Sequence, residues 1–353
     1  MSTVAVIGAG IVGASVAYHL ARRGVVVTLV DRAPTTAAGA TGASFGWIGG
    51  TAGDWPGGAD DLRSAVLSDY RRLASEVAGV TVRWTGSVIW SDGAGHLRPD
   101  APLAPGQQWI GPREIAALEP HLRVLPEHAV YTPSDGGVEP RRTTAALVDA
   151  ARAHGAQVVL GAGAVTLPRV GGRVTGVRCT AGFYPASRVV LAAGVDVARL
   201  CAPLGVMLPV APSPALLIRA SSPPGLVKTI VAGPAYEVRE SYDGHLLMTA
   251  PYDERVADAA LTRHAQQTLE RVQASFGAAG VLHLQEHCVG VRPMPAGGPL
   301  IGYVTADRSV YVAVMHSAVS LAPTVGRLVA DELASDTVAD ELERCRPQRF
   351  SLH

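Results

Sequence analysis

The chain has no asparagine and a single lysine, Lys228, so arginine carries nearly all of its positive charge. That bias fits a GC-rich genome and carries no chemistry. Charge is sparse and balanced, with 30 Lys and Arg against 30 Asp and Glu in 353 residues. No basic stripe interleaved with aromatics is present, which sets nucleic acid aside as a partner. No apolar run reaches the ~18 residues that suggest a membrane-spanning helix. The start of the chain is apolar, yet glycines at 8, 10 and 13 interrupt it and there is no basic n-region. It reads as a buried strand, not a signal peptide. Cysteine is scarce: Cys179, Cys201, Cys288 and Cys345 are scattered without metal-ligand spacing. Free thiols in a cytoplasmic protein are therefore expected, and no metal site. No Ser/His/Asp order and no carboxylate pair asks for nucleophilic or hydrolytic catalysis.

What the chain does have is apolar bulk, 48% of its residues, and length enough for two domains. Residues 3–8 form a short β-branched run ending in glycine, as a buried parallel strand does. Ile11, Ala14, Ala17 and Leu20 recur at helical spacing across 11–23, with Gly24 as a stop. Residues 25–30 are a second buried run, closed by Asp31. Together they make one βαβ unit of about 30 residues. Its turn, Gly8-Ala9-Gly10-Ile11-Val12-Gly13, fits G-x-G-x-x-G. Gly8 permits the tight turn, Gly10 lets the backbone approach a pyrophosphate, and Gly13 allows close helix–strand packing. The pyrophosphate would sit on the helix N-terminus, whose free N–H groups favour negative charge. Asp31 is placed to accept ribose hydroxyls. Arg32 could suggest a 2′-phosphate, but Asp31 beside it opposes that reading.

Further strands are predicted at 188–193, closed by Gly194, and at 309–314, ahead of a helix over about 322–334 whose first turn holds Pro323. They lie far from the βαβ unit in sequence, so the nucleotide domain is discontinuous. Residues 82–90 and 236–249 alternate and carry turn signals, as antiparallel strands do. The Gly- and Pro-rich stretches 91–108 and 203–225 read as loops. The fold class is therefore α/β: a discontinuous Rossmann-like nucleotide-binding domain plus a mostly antiparallel β substrate domain with flanking helices. The expected division assigns 1–75, 140–204 and 288–353 to the first domain, and 76–139 and 205–287 to the second.

After Asp31, the small-residue stretch AAGATGASFGWIGG at 37–50 suits close approach to a large planar group, and equally a flexible loop. Five more segments join it: DGGVEPRRTTAALVDAARAHG at 135–155, GGRVTGV at 171–177, the strand at 188–194, and the pair GVRPMPAGGPLIG (290–302) and HSAVSLAPTVGRLVADEL (316–333). In that order they make the chain resemble the D-amino acid oxidase superfamily of FAD enzymes, in its glycine oxidase and sarcosine oxidase branch. The resemblance implies FAD, dissociable because the usual attachment point falls near Gly290, where there is no cysteine; the nearest thiol is Cys288. It places Thr41, Gly42, Ala43 and Ser44 at the cofactor's phosphates and ring system and Val165 by the adenine, and counts Ala193 and Gly194 among the binding residues. Ser317, Ala318, Val319, Ser320 and Leu321 would run along the flavin's pyrimidine edge, although the family usually has glycine where Ala318 stands. N–H groups of the following helix would stabilise negative charge on reduced flavin; an ordinary capped helix is the other open reading.

Arg292, in Val291-Arg292-Pro293-Met294, ends a predicted strand returning to the cofactor domain. An arginine there can hold a carboxylate through two parallel N–H bonds, and the matching arginine of glycine oxidase-like enzymes does so while bordering the cofactor. Tyr236 matches a family tyrosine that reaches the same carboxylate, with Tyr242 and Tyr252 as spares; packing with a locally satisfied hydroxyl is the alternative. His316 would lie by the flavin, either tuning the amine's proton or as a buried structural histidine. No second charged anchor is apparent. The implied activity is oxidation of glycine or an N-substituted glycine to an imine, which water splits to glyoxylate and an amine, with molecular oxygen reduced to hydrogen peroxide. A flavin dehydrogenase of a 2-hydroxy acid or imino acid is the competing expectation, and an NAD-binding regulator without turnover a third.

Overall fold

The computed structural model describes residues 3–51, 55–91, 102–251, 258–278 and 280–350. Two sheets organise them. The first holds six strands in the order Leu300–Tyr303, Val310–Val314, Arg188–Leu191, Thr3–Ile7, Val26–Val30 and Gln157–Val159. All neighbours run parallel except the edge pair Leu300–Tyr303 and Val310–Val314. The strands read as unbroken apolar runs because both faces are covered. Val4 and Val6 enter one core with the long helices, while Ala5 and Ile7 enter another with Val177, Val189 and Val197.

The βαβ start folds as its pattern requires, with a helix at Ile11–Arg22 between the strands Thr3–Ile7 and Val26–Val30. That helix packs against Pro140–Ala153 and Ala318–Ser335. The second contact is close: Ser15 Oγ donates to Ala322 O at 2.8 Å, and a Cβ on Gly326 would come within 2.1 Å of Ser15 Oγ.

The last of these helices corrects the sequence reading. It begins at Ala318, not near 322, so Pro323 lies inside it and not in its first turn. A proline there donates no N–H to the carbonyl four residues back, which is that of Val319. The buried Tyr70 hydroxyl donates to Val319 O instead, at 2.5 Å. Replacement by phenylalanine leaves that buried carbonyl unpaired. Tyr70→Phe should therefore cost about 1–3 kcal/mol of stability; an unchanged urea midpoint would show that the bond contributes nothing.

The second sheet has eight strands in the order His283–Pro295, Val210–Ser221, Leu246–Ala250, Glu237–Glu240, Ile230–Ala232, Ser87–Ile89, Ala129–Thr132 and Gln108–Ile110. Its pairs are antiparallel, except Ile230–Ala232 beside Ser87–Ile89. The expected loop at 203–225 is mostly the strand Val210–Ser221. Its prolines misled because Pro212 and Pro214 sit on the half that pairs with His283–Pro295 alone, and a locally one-sided strand tolerates proline. The expected loop at 91–108 falls largely outside the described residues. Helix Asp258–Ser275, not anticipated from the pattern, buries Ala265, Leu269 and Val272 against one face of this sheet. No helix among the described residues is long and apolar enough to cross a membrane.

Candidate active site

The glycine turn opens on a cleft of about 710 Å³. Gly8 adopts φ +111°, and a Cβ there would meet Ala192 O at 2.4 Å, so only glycine serves. Gly13 does not line the cleft. A Cβ on it would lie 1.9 Å from Gly8 O, so its role is the close packing of helix on turn. Gly10 differs: a Cβ there would meet only Thr41 Oγ1, at 3.1 Å. The Asp31 carboxylate accepts the N–H groups of Ala9 (2.6 Å) and Ala33 (2.8 Å), which ties the turn to the second strand while the side chain still lines the cleft. The Ile11 N–H donates to Thr41 Oγ1 at 3.2 Å, and the first helical turn carries no acidic residue. Arg32 borders the cleft but is paired with Asp196 at 3.0 Å, so its charge is already balanced. Ile11, Val12, Val165, Ala193 and Gly194 complete the wall from the sequence-derived set.

A second cavity of about 480 Å³ adjoins the first. Ala40, Thr41, Pro293, Met315 and Ala318 line both, so the cleft beside Asp31 and the cavity beside Arg292 share a wall. Ala43, Ser44, Arg292, His316, Ser317, Val319 and Ser320 all face it. Ser317 holds a left-handed backbone, φ +56° and ψ +29°, a conformation non-glycine residues keep only where surroundings impose it. Arg292 is steadied by Ser213, whose carbonyl accepts from Nε at 3.3 Å and whose Oγ accepts from Nη2 at 2.8 Å. Phe45, Trp47 and Trp55 supply an aromatic wall. The floor is one transverse row of the eight-stranded sheet: Leu217, Thr249, Glu237, Ala232 and Ile89 are cross-strand partners in turn, and all five face the cavity.

A family model described as FAD dependent oxidoreductase (DAO) matches residues 3–332. The chain belongs to this family. It is 28% identical to glycine oxidase of Pseudomonas aeruginosa, with 93% of each chain covered. It is 27% identical to the bifunctional protein ThiO/ThiG of Synechocystis sp., covering 99% of this chain and 54% of that one, so it spans about half of that protein's length. The crystal structure of iminodiacetate oxidase from Chelativorans sp. BNC1 matches with a TM-score of 0.80 at 25% identity over 98% of both chains. The α/β fold and the glycine oxidase-like branch are those the sequence implied.

The residues present fit the FAD of this family. A helix start with a glycine N-cap and no acidic side chain in its first turn suits a diphosphate, and the adjoining cavities leave room for an elongated dinucleotide beside it. Arg239 helps to hold the cavity wall at Phe45. Buried, with its pKa lowered by desolvation to about 10, it still carries charge at neutral pH and donates to the carbonyls of Phe45 and Val138.

Three expectations are not met by the geometry. Tyr236 faces away from the cavity, among Val238, Met248 and Leu269, with its hydroxyl bonded to Ser275. Helix Asp258–Ser275 covers that face of the strand, so alternation sends residue 237 to the cavity instead. Gly42 and Leu321 line neither cavity: Gly42 packs against Ala37 O and Arg141, and Leu321 lies in the core. The third concerns charge. Glu237 is a second charged group facing the cavity with Arg292, where none had been apparent. The alternation of Tyr-Glu-Val-Arg-Glu was the available signal, but not which parity faced inward. Of the spare tyrosines, Tyr242 is exposed under Arg142 and Tyr252 lies outside the described residues.

Behind the aromatic wall, buried Asp135 accepts hydrogen bonds from Trp47 Nε1 (2.9 Å) and Ser87 Oγ (2.8 Å). Burial raises its carboxyl to about 6, against the pull of those two bonds. The folded value thus exceeds the unfolded one, so the contribution to stability is whole below about pH 4 and is lost as pH rises through about 6. The full swing is up to about 3 kcal/mol. Asn in its place keeps an acceptor for Trp47 and Ser87 and never ionises. Between about pH 4.5 and 7.5, Asp135→Asn should gain stability relative to the wild type by an amount of that order. Urea midpoints that run parallel for the two proteins across this range would exclude it.

Proposed function

We infer that the chain oxidises a carboxylate-bearing amine at a glycine unit, free or N-substituted. The observation that carries this reading is Arg292: a cation with its guanidinium steadied on one side by Ser213, set in an aromatic cavity that adjoins the nucleotide cleft. A fork so held can take a carboxylate through two N–H bonds and orient the rest of the molecule. FAD, when bound, supplies the two-electron acceptor for the carbon next to the amine. The chain's own part is to position and to exclude water: Arg292 fixes the carboxylate, and Phe45, Trp47 and Trp55 keep the neighbouring carbon dry. The N–H groups at the start of helix Ala318–Ser335, beside Ser317 and Ala318, would stabilise negative charge on the cofactor's nearby edge. His316 borders the same space.

The names of the relatives support the substrate class: one is a glycine oxidase and another an iminodiacetate oxidase. The product imine would be split by water to glyoxylate and an amine, with molecular oxygen as the electron acceptor. Attachment of FAD is read as non-covalent. Cys288 lines neither cavity, and burial raises its thiol beside Glu286 and Arg141. The test is anaerobic bleaching of the yellow protein by amino acids, N-alkylglycines and hydroxy acids, with peroxide and glyoxylate followed in air. Bleaching by glycine-type compounds with glyoxylate formed supports the reading. Bleaching only by α-substituted amino acids or hydroxy acids, with no glyoxylate, overturns it.

A further inference from the structure

We propose that Glu237 is the second recognition group of the substrate cavity, binding a cationic N–H donor carried by the substrate at a point remote from the carboxylate on Arg292. The proposal rests on the carboxylate–Arg292 reading above and narrows its substrate class to basic glycine derivatives or basic amino acids.

Glu237 sits at the middle of the floor row, with Thr249 on one side and Ala232 on the other. It is half-buried, and what it exposes faces the cavity. The remaining floor residues, Leu217, Ala232 and Ile89, are apolar, and Phe45, Trp47 and Trp55 line the same cavity. Other buried acids of this protein are held by partners. Glu119 accepts from the backbone of Lys228 and Thr229 and from the Thr229 hydroxyl; Glu332 accepts from Arg346 and Tyr311; Asp69 pairs with Arg72 and Arg327. Among the described residues, no hydrogen bond reaches the Glu237 carboxylate. That carboxylate, without such a bond and open to the cavity, is available to a donor on a ligand.

The cavity indicates what that donor is. Arg292 and His316 are the other titratable side chains that line it. Desolvation raises the Glu237 pKa, and the Arg292 charge opposes that rise only in part. An arriving ammonium or guanidinium group would complete the compensation and hold the carboxylate ionised. An apolar substituent would strip the remaining water from Glu237 and return nothing. A second carboxylate in that place would be repelled. Arg292 and Glu237 thus make a two-ended site, selective for molecules anionic at one end and cationic at the other.

Ligand binding to the FAD-loaded enzyme tests this without turnover. Calorimetry would compare γ-aminobutyrate, δ-aminovalerate and ε-aminocaproate with the carboxylates of equal length that end in methyl, and with the corresponding dicarboxylates. Wild type should bind the best ammonium-ended compound at least about tenfold more tightly than its methyl isostere, and the dicarboxylate most weakly. In Glu237→Gln, which keeps the shape, that ratio should collapse towards one and dicarboxylate binding should improve. Glu237→Leu should bind the methyl-ended compounds best. Flavin content and thermal midpoint check that both variants are folded. A wild type that prefers methyl ends, or a ratio unchanged by both substitutions, overturns the assignment. So does glycine binding tightest of all and losing its affinity in Glu237→Gln, since Glu237 would then hold the reacting amine. Failure of the underlying reading looks different: the methyl-ended acids would bind no better than their uncharged amides, in wild type and Arg292→Ala alike.

Discussion

Arg292→Ala is expected to lower kcat/KM for carboxylate-bearing amines by about two orders of magnitude or more. The side chain is half-buried, lies in the cavity and leans on Ser213 through Nε and Nη2. Its strand and that of Ser213 are antiparallel partners, and the two residues face each other directly in the register. The guanidinium plane is therefore set by the protein before any ligand arrives, so little rotamer entropy opposes binding. Lysine should restore little, because a point charge on a flexible stem offers neither the fork nor a plane for Ser213 to hold. Flavin content should stay near normal if the defect is in substrate binding. Unchanged kinetics for Arg292→Ala would place the carboxylate elsewhere, or show that the amine oxidised carries none.

The second large effect is expected at Gly10. Gly10→Val should yield folded protein without FAD. The geometry separates folding from binding at this position. At Gly8 or Gly13, a side chain would collide with backbone at 2.4 Å or 1.9 Å, and the turn itself would have to move. At Gly10 the one close neighbour is the end of the Thr41 side chain, at 3.1 Å. Valine is thus tolerated by the fold, yet its methyl groups stand where a diphosphate must approach the helix start. The purified variant should be colourless, with circular dichroism close to that of the wild type. A variant that retains full flavin absorption would remove the diphosphate from this turn.

The two sites differ in how far they could be read from the chain alone. The cofactor cleft was legible because its determinants are local. Gly8, Gly10, Gly13 and Asp31 lie within one βαβ unit, where turn sterics, helix-end amides and a strand-end acid act over a few residues. Even there, the wall formed by Asp196 and Arg199 comes from a distant segment and carried no signal. The substrate cavity was less legible. The place of Arg292 on a returning strand puts it at the cavity, while the pattern points to Tyr236 and gives no sign of Glu237, which faces the cavity.

By itself, then, the sequence determined the nucleotide half: two buried strands, the glycine turn and the acid that ties it, because backbone sterics and hydrophobic period settle such a unit locally. Only the tertiary structure decided which parity of the strand Glu237–Glu240 looks into the cavity. A one-residue change of face exchanges Tyr236 for Glu237, and the choice rests with helix Asp258–Ser275, which buries Tyr236 on the far side. Tertiary structure likewise decided where the last long helix begins. Pro323 signals a first turn in isolation, yet the hydroxyl of Tyr70, 249 residues before Val319, supplies the bond the proline omits and lets the helix start at Ala318. Both outcomes depend on partners far along the chain, where local propensity has no reach.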